Sequence, residues 1–313
     1  MYLQNAVLLK NKYTEKLNSF NKQLLTIFPV SGYIDLLNNR PQLGTYAYVS
    51  PQIKDICNRI VHLANENILE TYHKLILIEL ICLAKAKIEN KNLHEDINCL
   101  YTANFNRILK QMETVNEPGF YLYSHDKFFK DLGICSFFLI PAGAQKIHLD
   151  TLPYYFLYKK GIRQFFKGIC LLLFELKGIR PLFQMHTDSN DSDLMADFNS
   201  TGWENFYIRT ARILEQQEDI KGIFGSSWFF DPQLSKISPR LEFLRNIVEQ
   251  GGGKVFYIGT SSHDIKNALL KSTTRRKLYN AGKYLPANHI VIWPRQKLIE
   301  WAKKKSIKKP IKN

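Results

Sequence analysis

The hydrophobic period changes once along this chain, and that change constrains the fold more than any other feature. Up to about residue 115 the apolar residues recur at helical spacing. In residues 51–67, Ile53, Ile56, Cys57, Ile60 and Val61 share one face behind Pro51, which suits a first helical position. Leu69 to Lys87 is apolar on most sides and predicts a buried helix, and His94 to Met112 predicts another, amphipathic one. Asn116-Glu-Pro-Gly119 then breaks the pattern with a turn signal. Beyond it, short strand-like and helix-like runs alternate.

Two short runs flank Ala142-Gly-Ala144 and two more flank Lys177-Gly178, so both stretches predict hairpins. Thr201-Gly-Trp-Glu204 has the form of a capping box ahead of Phe206, Tyr207, Thr210, Ala211 and Leu214 at helical spacing. A strand at Ile220 to Gly225 follows, then a helix opened by Ser238-Pro239 and stopped by Gly251-Gly-Gly253. A strand at Lys254 to Ile258, a helix at Asp264 to Lys271 and a strand at His289 to Trp293 complete the series. This order predicts an α/β (α+β) fold, a mixed sheet flanked by helices behind a helical N-terminal region. The expected boundaries are 1–116 for the helical region, 117–302 for the α/β domain and 303–313 for a basic tail. A length of 313 residues fits one large domain or two, and an apolar content of 45% excludes a disordered or fibrous chain.

The element order from Phe120 to Trp301 resembles that of the GNAT-type acyltransferases, in which a meander is followed by helix, strand, helix and two closing strands. That family's pyrophosphate-cradling pattern (Gln or Arg, two residues, Gly, one residue, Gly or Ala) should open the helix after the meander. Here the stretch reads SNDSDLMADFNSTGWENF, with the single glycine Gly202. The resemblance implies transfer of an acyl group from a thioester to an amine or hydroxyl, with acyl-CoA and an acyl carrier protein equally open as donors.

Several residues could carry such chemistry. His186-Thr-Asp188 closes one strand-like run and His148-Leu-Asp150 another; on a strand, residues two apart share a face, so a His and an Asp can share a proton. His186 is the candidate base, oriented by Asp188 or Asp231, while His148 reads as an edge-strand residue. Ser227, or a backbone N–H near it, is the candidate oxyanion donor. Two strands end in hydroxyl-rich turns, Gly225-Ser226-Ser227 and Gly259-Thr260-Ser261-Ser262, which suit a phosphate or carboxylate; Ser261 equally suits a helix cap. Asp231 before Pro232 and Ser238 before Pro239 also have ordinary readings as caps. Arg240, in a helix's first turn where the dipole disfavours a cation, reads as an anion binder together with Arg275 and Arg276. The aromatic span from Gly225 to Leu241 reads as a pocket wall.

Other classes remain at this level. His186, Asp188 and His263, with Arg275 beyond, mimic the ligand set of iron(II), 2-oxoglutarate-dependent oxygenases, but that resemblance requires a double-stranded β-helix where this chain has amphipathic helices. The five cysteines form no CxxC pair and sit among apolar neighbours, so reduced core residues and no metal are expected. The net charge is +15, and residues 295–313 hold eight basic residues against the single acid Glu300. This tail, with the basic and aromatic residues from Lys271 to Arg295, offers the rival reading: a non-catalytic adaptor engaging nucleic acid or an anionic membrane surface. No apolar run reaches the ~20 residues of a spanning helix. No secretory leader pattern opens the chain, and a cytoplasmic location is the expectation.

Overall fold

The computed structural model describes residues 2–91, 93–186 and 196–308, and the chain divides into two compact units, Met1–Pro141 and Ala142–Asn313.

The first unit is helical: α1 (Tyr2–Phe20), α2 (Leu24–Ile27), α3 (Val30–Asn38), α4 (Pro51–Leu63), α5 (Glu66–Lys91), α6 (Glu95–Thr114) and α7 (Asp126–Cys135). The Ser50 hydroxyl accepts the Ile53 N–H and so caps α4 just ahead of Pro51. Helix α5 is the core of the unit. Its Tyr72, Leu75, Ile76, Leu77, Ile78 and Leu80 are all buried, with α1, α4, α6 and α7 packed around it. Amphipathic neighbours that bury one stripe each explain why α5 alone is apolar on most sides.

That core also encloses polar groups. The His73 Nδ1 lies 2.6 Å from the Tyr121 carbonyl, which can only accept, so Nδ1 carries the proton. Its Nε2 then accepts from the Tyr33 hydroxyl at 3.3 Å, and the Tyr123 hydroxyl bonds Tyr33 in turn. The ring stacks on Phe128 at 4.8 Å. Complete burial pushes the His73 pKa down to about 4, keeping the imidazole neutral. Arg107 and the buried Asp131 pair at 2.6 Å.

The two-residue β1 (Ile140–Pro141) closes the first unit, and the second contains β2 (Lys146–Asp150), β3 (Leu182–His186), β4 (Gly222–Ser227), β5 (Lys254–Gly259) and β6 (Asn288–Pro294) of a mixed sheet in the order β2-β3-β4-β6-β5. Its helices are α8 (Gly161–Cys170), α9 (Ser200–Gln216), α10 (Leu234–Ile237), α11 (Phe243–Gln250), α12 (Ser262–Leu270), α13 (Thr273–Asn280) and α14 (Arg295–Lys308). The fold is α/β, as the element order predicts. β2 and β3 are antiparallel and β3 and β4 parallel, and β6 inserts between β4 and β5 antiparallel to both. The carboxyl ends of β3, β4 and β5 therefore share one edge of the sheet.

One face of the sheet (Leu182, Phe224, Phe256, Ile258, Ile290, Ile292) packs on α8, a π-helical turn at Leu171–Leu176 and a 3-10 segment at Tyr154–Tyr158. On the other, Trp293 meets Tyr207 of α9 at 5.0 Å and Trp301 of α14 at 5.1 Å. Trp293 also explains the glycine stop after α11. A Cβ on Gly251 would lie 2.0 Å from its ring, and its indole N–H donates to the Gly251 carbonyl at 3.0 Å.

Three local expectations are corrected. The run before Lys177-Gly178 is helical, because a short apolar run bounded by turn residues has no period that separates a buried strand from a buried helix. α9 is capped by Asn199, whose side chain accepts the Gly202 N–H at 2.9 Å, and Glu204 reaches Lys305 at 2.6 Å instead of closing a box with Thr201. Ser238 makes no cap bond; a 3-10 turn at Pro239–Leu241 leads into α11. Residues 303–308 continue helix α14, where Lys303 pairs with Glu215 at 3.1 Å.

Candidate active site

The β2–β3 register sets Lys146 opposite His186 and His148 opposite Gln184. The two-residue period of a strand then puts His148, Asp150, Gln184 and His186 on one face, with the two histidines diagonal neighbours. Their rings stand 4.6 Å apart, and His186 Nε2 lies 2.7 Å from His148 Nδ1. His148 Nε2 lies 3.8 Å from the Asp150 carboxylate. His148 is buried, whereas His186 is partly open.

Two imidazole nitrogens at 2.7 Å share one proton, since two N–H groups facing each other would repel. In the tautomer whose His148 Nε2–H faces Asp150, His148 Nδ1 accepts from His186 Nε2–H; in the other, His148 Nδ1–H donates to His186 Nε2. A second proton on the pair places a cation within reach of Asp150. The arrangement has the form of a base positioned by a second group that a carboxylate orients.

The neighbouring strand gives this pair its setting. β3 and β4 pair in parallel at Phe183↔Ile223 and Gln184↔Phe224, and the register goes no further toward His186 and Ser227. Met185 lies over Gly225 at that point; a Cβ there would come within 2.6 Å of its Cε. His186 and Ser227 lie at the carboxyl ends of these two parallel strands, where ligands collect in open α/β sheets.

The remaining candidates sit further along the same edge and are held in local bonds. The Ser227 hydroxyl accepts the Phe229 N–H at 3.1 Å. The buried Asp231 carboxylate accepts the Gln233 N–H at 2.9 Å and the Ala287 N–H at 3.2 Å, which ties the loop after β4 to the entry of β6. Arg275 is buried; it donates to the Ala268 carbonyl at 2.5 Å and to the Ser238 hydroxyl at 3.0 Å, and its guanidinium lies 4.7 Å from the Trp228 ring centre. Burial depresses the Arg275 pKa. Ser261 caps α12 through the Asp264 N–H, and His263 lies 2.8 Å from Asn267 on that helix. Ser226, Arg240 and Arg276 are exposed, and Asp188 lies outside the described residues. A shallow groove beside Asp231 is lined by Phe229, Leu241 and Arg245.

The sequence reading named His148 as an edge-strand residue; its pairing with His186, which depends on strand register, escaped it, as did His289. His289, buried on β6 opposite Ser227 and Tyr257, has its pKa lowered by burial and lies in a strand whose pattern is otherwise apolar. Among the described residues, no group of three or more His, Cys, Asp or Glu is placed to hold a metal ion.

The Gly202 position also has a structural account. A Cβ there would lie 2.0 Å from the Asp197 carbonyl oxygen, so this glycine admits the chain's own backbone. Its N–H is already taken by Asn199.

No family model matches the sequence, and no curated protein matches it. Among solved structures, an acyltransferase in complex with decanoyl-CoA aligns with a TM-score of 0.43 at 12% identity, covering 71% of this chain and 65% of that one. An acyltransferase in complex with CoA and 10C-teicoplanin aligns with a TM-score of 0.40 at 12% identity, covering 71% and 66%. The chain thus spans just under two thirds of the length of these proteins.

Proposed function

We propose that the second unit transfers an acyl group from a thioester donor to an amine or hydroxyl acceptor, with His186 as general base and His148 and Asp150 as its positioning groups. The observation that carries the reading is the His186–His148 pair at 2.7 Å near the carboxyl end of β3, with the Asp150 carboxylate 3.8 Å from His148. The acceptor would give its proton to His186 as its nitrogen or oxygen attacks the thioester carbonyl carbon; the C–S bond then breaks and the thiolate leaves to be protonated. The Ser227 hydroxyl, which accepts the Phe229 N–H and keeps its own proton to donate, or a backbone N–H near it, is the candidate donor to the oxyanion.

The cap at Asn199 and the Asp197 carbonyl over Gly202 favour a donor that needs no diphosphate cradle at the start of α9, which directs attention to acyl carrier protein beside acyl-CoA. Asp231 and Arg275 hold the loop that walls this edge. Arg240 and Arg276, both exposed, are the proposed contacts for an anionic carrier.

Thiol release from acyl-CoAs and acyl carrier proteins of graded chain length, offered with amine and alcohol acceptors, tests the reading. Acceptor-dependent release that His186→Gln lowers by about 10²- to 10⁴-fold, with unchanged melting, supports it. Release equal in the variant and the wild type overturns the assignment of the base.

A further inference from the structure

Helix α8 and the turn that continues it are docked firmly by one side. The Gln164 amide donates to the Phe156 and Tyr257 carbonyls at 2.6 and 2.8 Å and accepts the Tyr257 N–H at 3.1 Å. Gly168 allows the close approach, since a Cβ there would lie 2.3 Å from Leu157 Cδ2. Leu171, Leu172 and Leu176 complete the buried side.

The opposite side is apolar as well and, among the described residues, stands exposed. Phe166, Leu173, Ile162 and Phe174 are 58%, 63%, 73% and 74% exposed, and Tyr154 and Tyr158 beside them 64% and 68%. A single exposed leucine is ordinary, but large apolar side chains gathered on one short stretch mark a contact surface. The charged residues within 154–180 are nearly all cationic, although Asp264 approaches Tyr155 from α12. Lys159, Lys160, Arg163, Lys167, Lys177 and Arg180 are all exposed, and the one acid between them, Glu175, is paired with Lys297 at 2.6 Å.

This charge pattern selects the occupant. A second copy joined through a two-fold axis would set the six cations against themselves. An anionic bilayer satisfies both parts of the surface: phenyl and aliphatic groups enter the acyl boundary while lysine and arginine stems lie along it with their charges at the phosphates. Among the described residues no helix is long and apolar enough to cross a membrane, so the contact is in the plane of the interface.

We propose that the second unit binds the surface of an anionic phospholipid bilayer through the outer face of residues 154–180, with Phe166 and Phe174 inserted. The same segment is anchored through Gln164 to Tyr257, near the carboxyl end of β5, so the bound face adjoins the edge that carries the candidate site.

Co-sedimentation of the full chain with vesicles of phosphatidylcholine, with and without phosphatidylglycerol, tests this without any catalytic readout. Binding is expected to the anionic vesicles and to weaken with added salt. The double variant Phe166→Ser, Phe174→Ser is expected to bind at least about tenfold more weakly while melting as the wild type does. A chain ending at Lys308 is expected to bind as the full chain does. Absence of binding to anionic vesicles, or equal binding by the double variant, overturns the proposal. Loss of binding on removing residues 309–313 alone assigns the contact to the tail and overturns it too. So does sedimentation showing a dimer that the double variant dissolves.

Discussion

His186 and His148 meet across two antiparallel strands with Nε2 of one 2.7 Å from Nδ1 of the other. Neither residue alone distinguishes a catalytic imidazole from a structural one. In the proposed site the buried His148 is the positioning ring and the partly exposed His186 the base.

His148→Phe keeps the packing of the buried ring and removes the bond to His186. It is expected to lower kcat by about 10- to 100-fold, less than His186→Gln, because the base remains but loses its orientation. In the wild type kcat/KM is expected to rise with pH through the titration of the base. His186→Gln is expected to lose that limb, and a retained limb would place the base elsewhere.

His73 ties stability to pH. Its pKa of about 4 in the folded chain lies below the ordinary 6.5, so the unfolded chain binds the proton first. The resulting stability is fully present above about pH 6.5 and is lost as pH falls toward 4, by about 3 kcal/mol in total. Urea unfolding at pH 7, 6 and 5, compared with His73→Asn, measures it. The variant is expected to start less stable and to decline less steeply, and equal slopes would contradict this assignment.

Arg275 and Arg276 are adjacent in sequence and opposite in role. Arg275→Met removes two hydrogen bonds and the contact with Trp228, leaving the Ala268 carbonyl and Ser238 without their donor. A loss of about 2 to 4 kcal/mol is expected. Arg276→Ala, on the surface, is expected to stay within about 0.5 kcal/mol of the wild type. Thermal unfolding of both variants separates the two roles.

Helix caps supply a further contrast. Ser261→Ala and Asn199→Ala each remove an acceptor from a helix N-terminus and are expected to cost about 1 kcal/mol. Ser226→Ala, at an exposed position without such a bond among those described, is expected to leave stability unchanged. A drop in thermal stability for Ser226→Ala as large as that for Ser261→Ala would refute the distinction.

The sequence pattern contained α4, α5 and α6 and the sequential strands and helices from β4 to β6, because Pro51, Asn116-Glu-Pro-Gly119 and Gly251-Gly-Gly253 punctuate strongly periodic runs; it placed neither α7 nor the insertion of β6 between β4 and β5. Leu171 to Leu176 misled because its residues are nearly all apolar and β-compatible, so length and burial, not period, decide its form. Asp231 and Arg275 have the residue types of a site, but their partners come from segments 56 and 37 residues away, which no local pattern records. The His148–His186 contact spans 38 residues and needs the register of one strand against another. A slip of one residue would turn the two rings to opposite faces.

Mass analysis of the acceptor after incubation with a thioester donor addresses the central claim most directly. With the wild type, the acceptor is expected to gain the mass of the acyl group as free thiol appears in equal amount, and His186→Gln is expected to suppress both. Thiol release without an acylated acceptor would reduce the reaction to hydrolysis, and an acylated acceptor formed at the wild-type rate by His186→Gln would contradict the account.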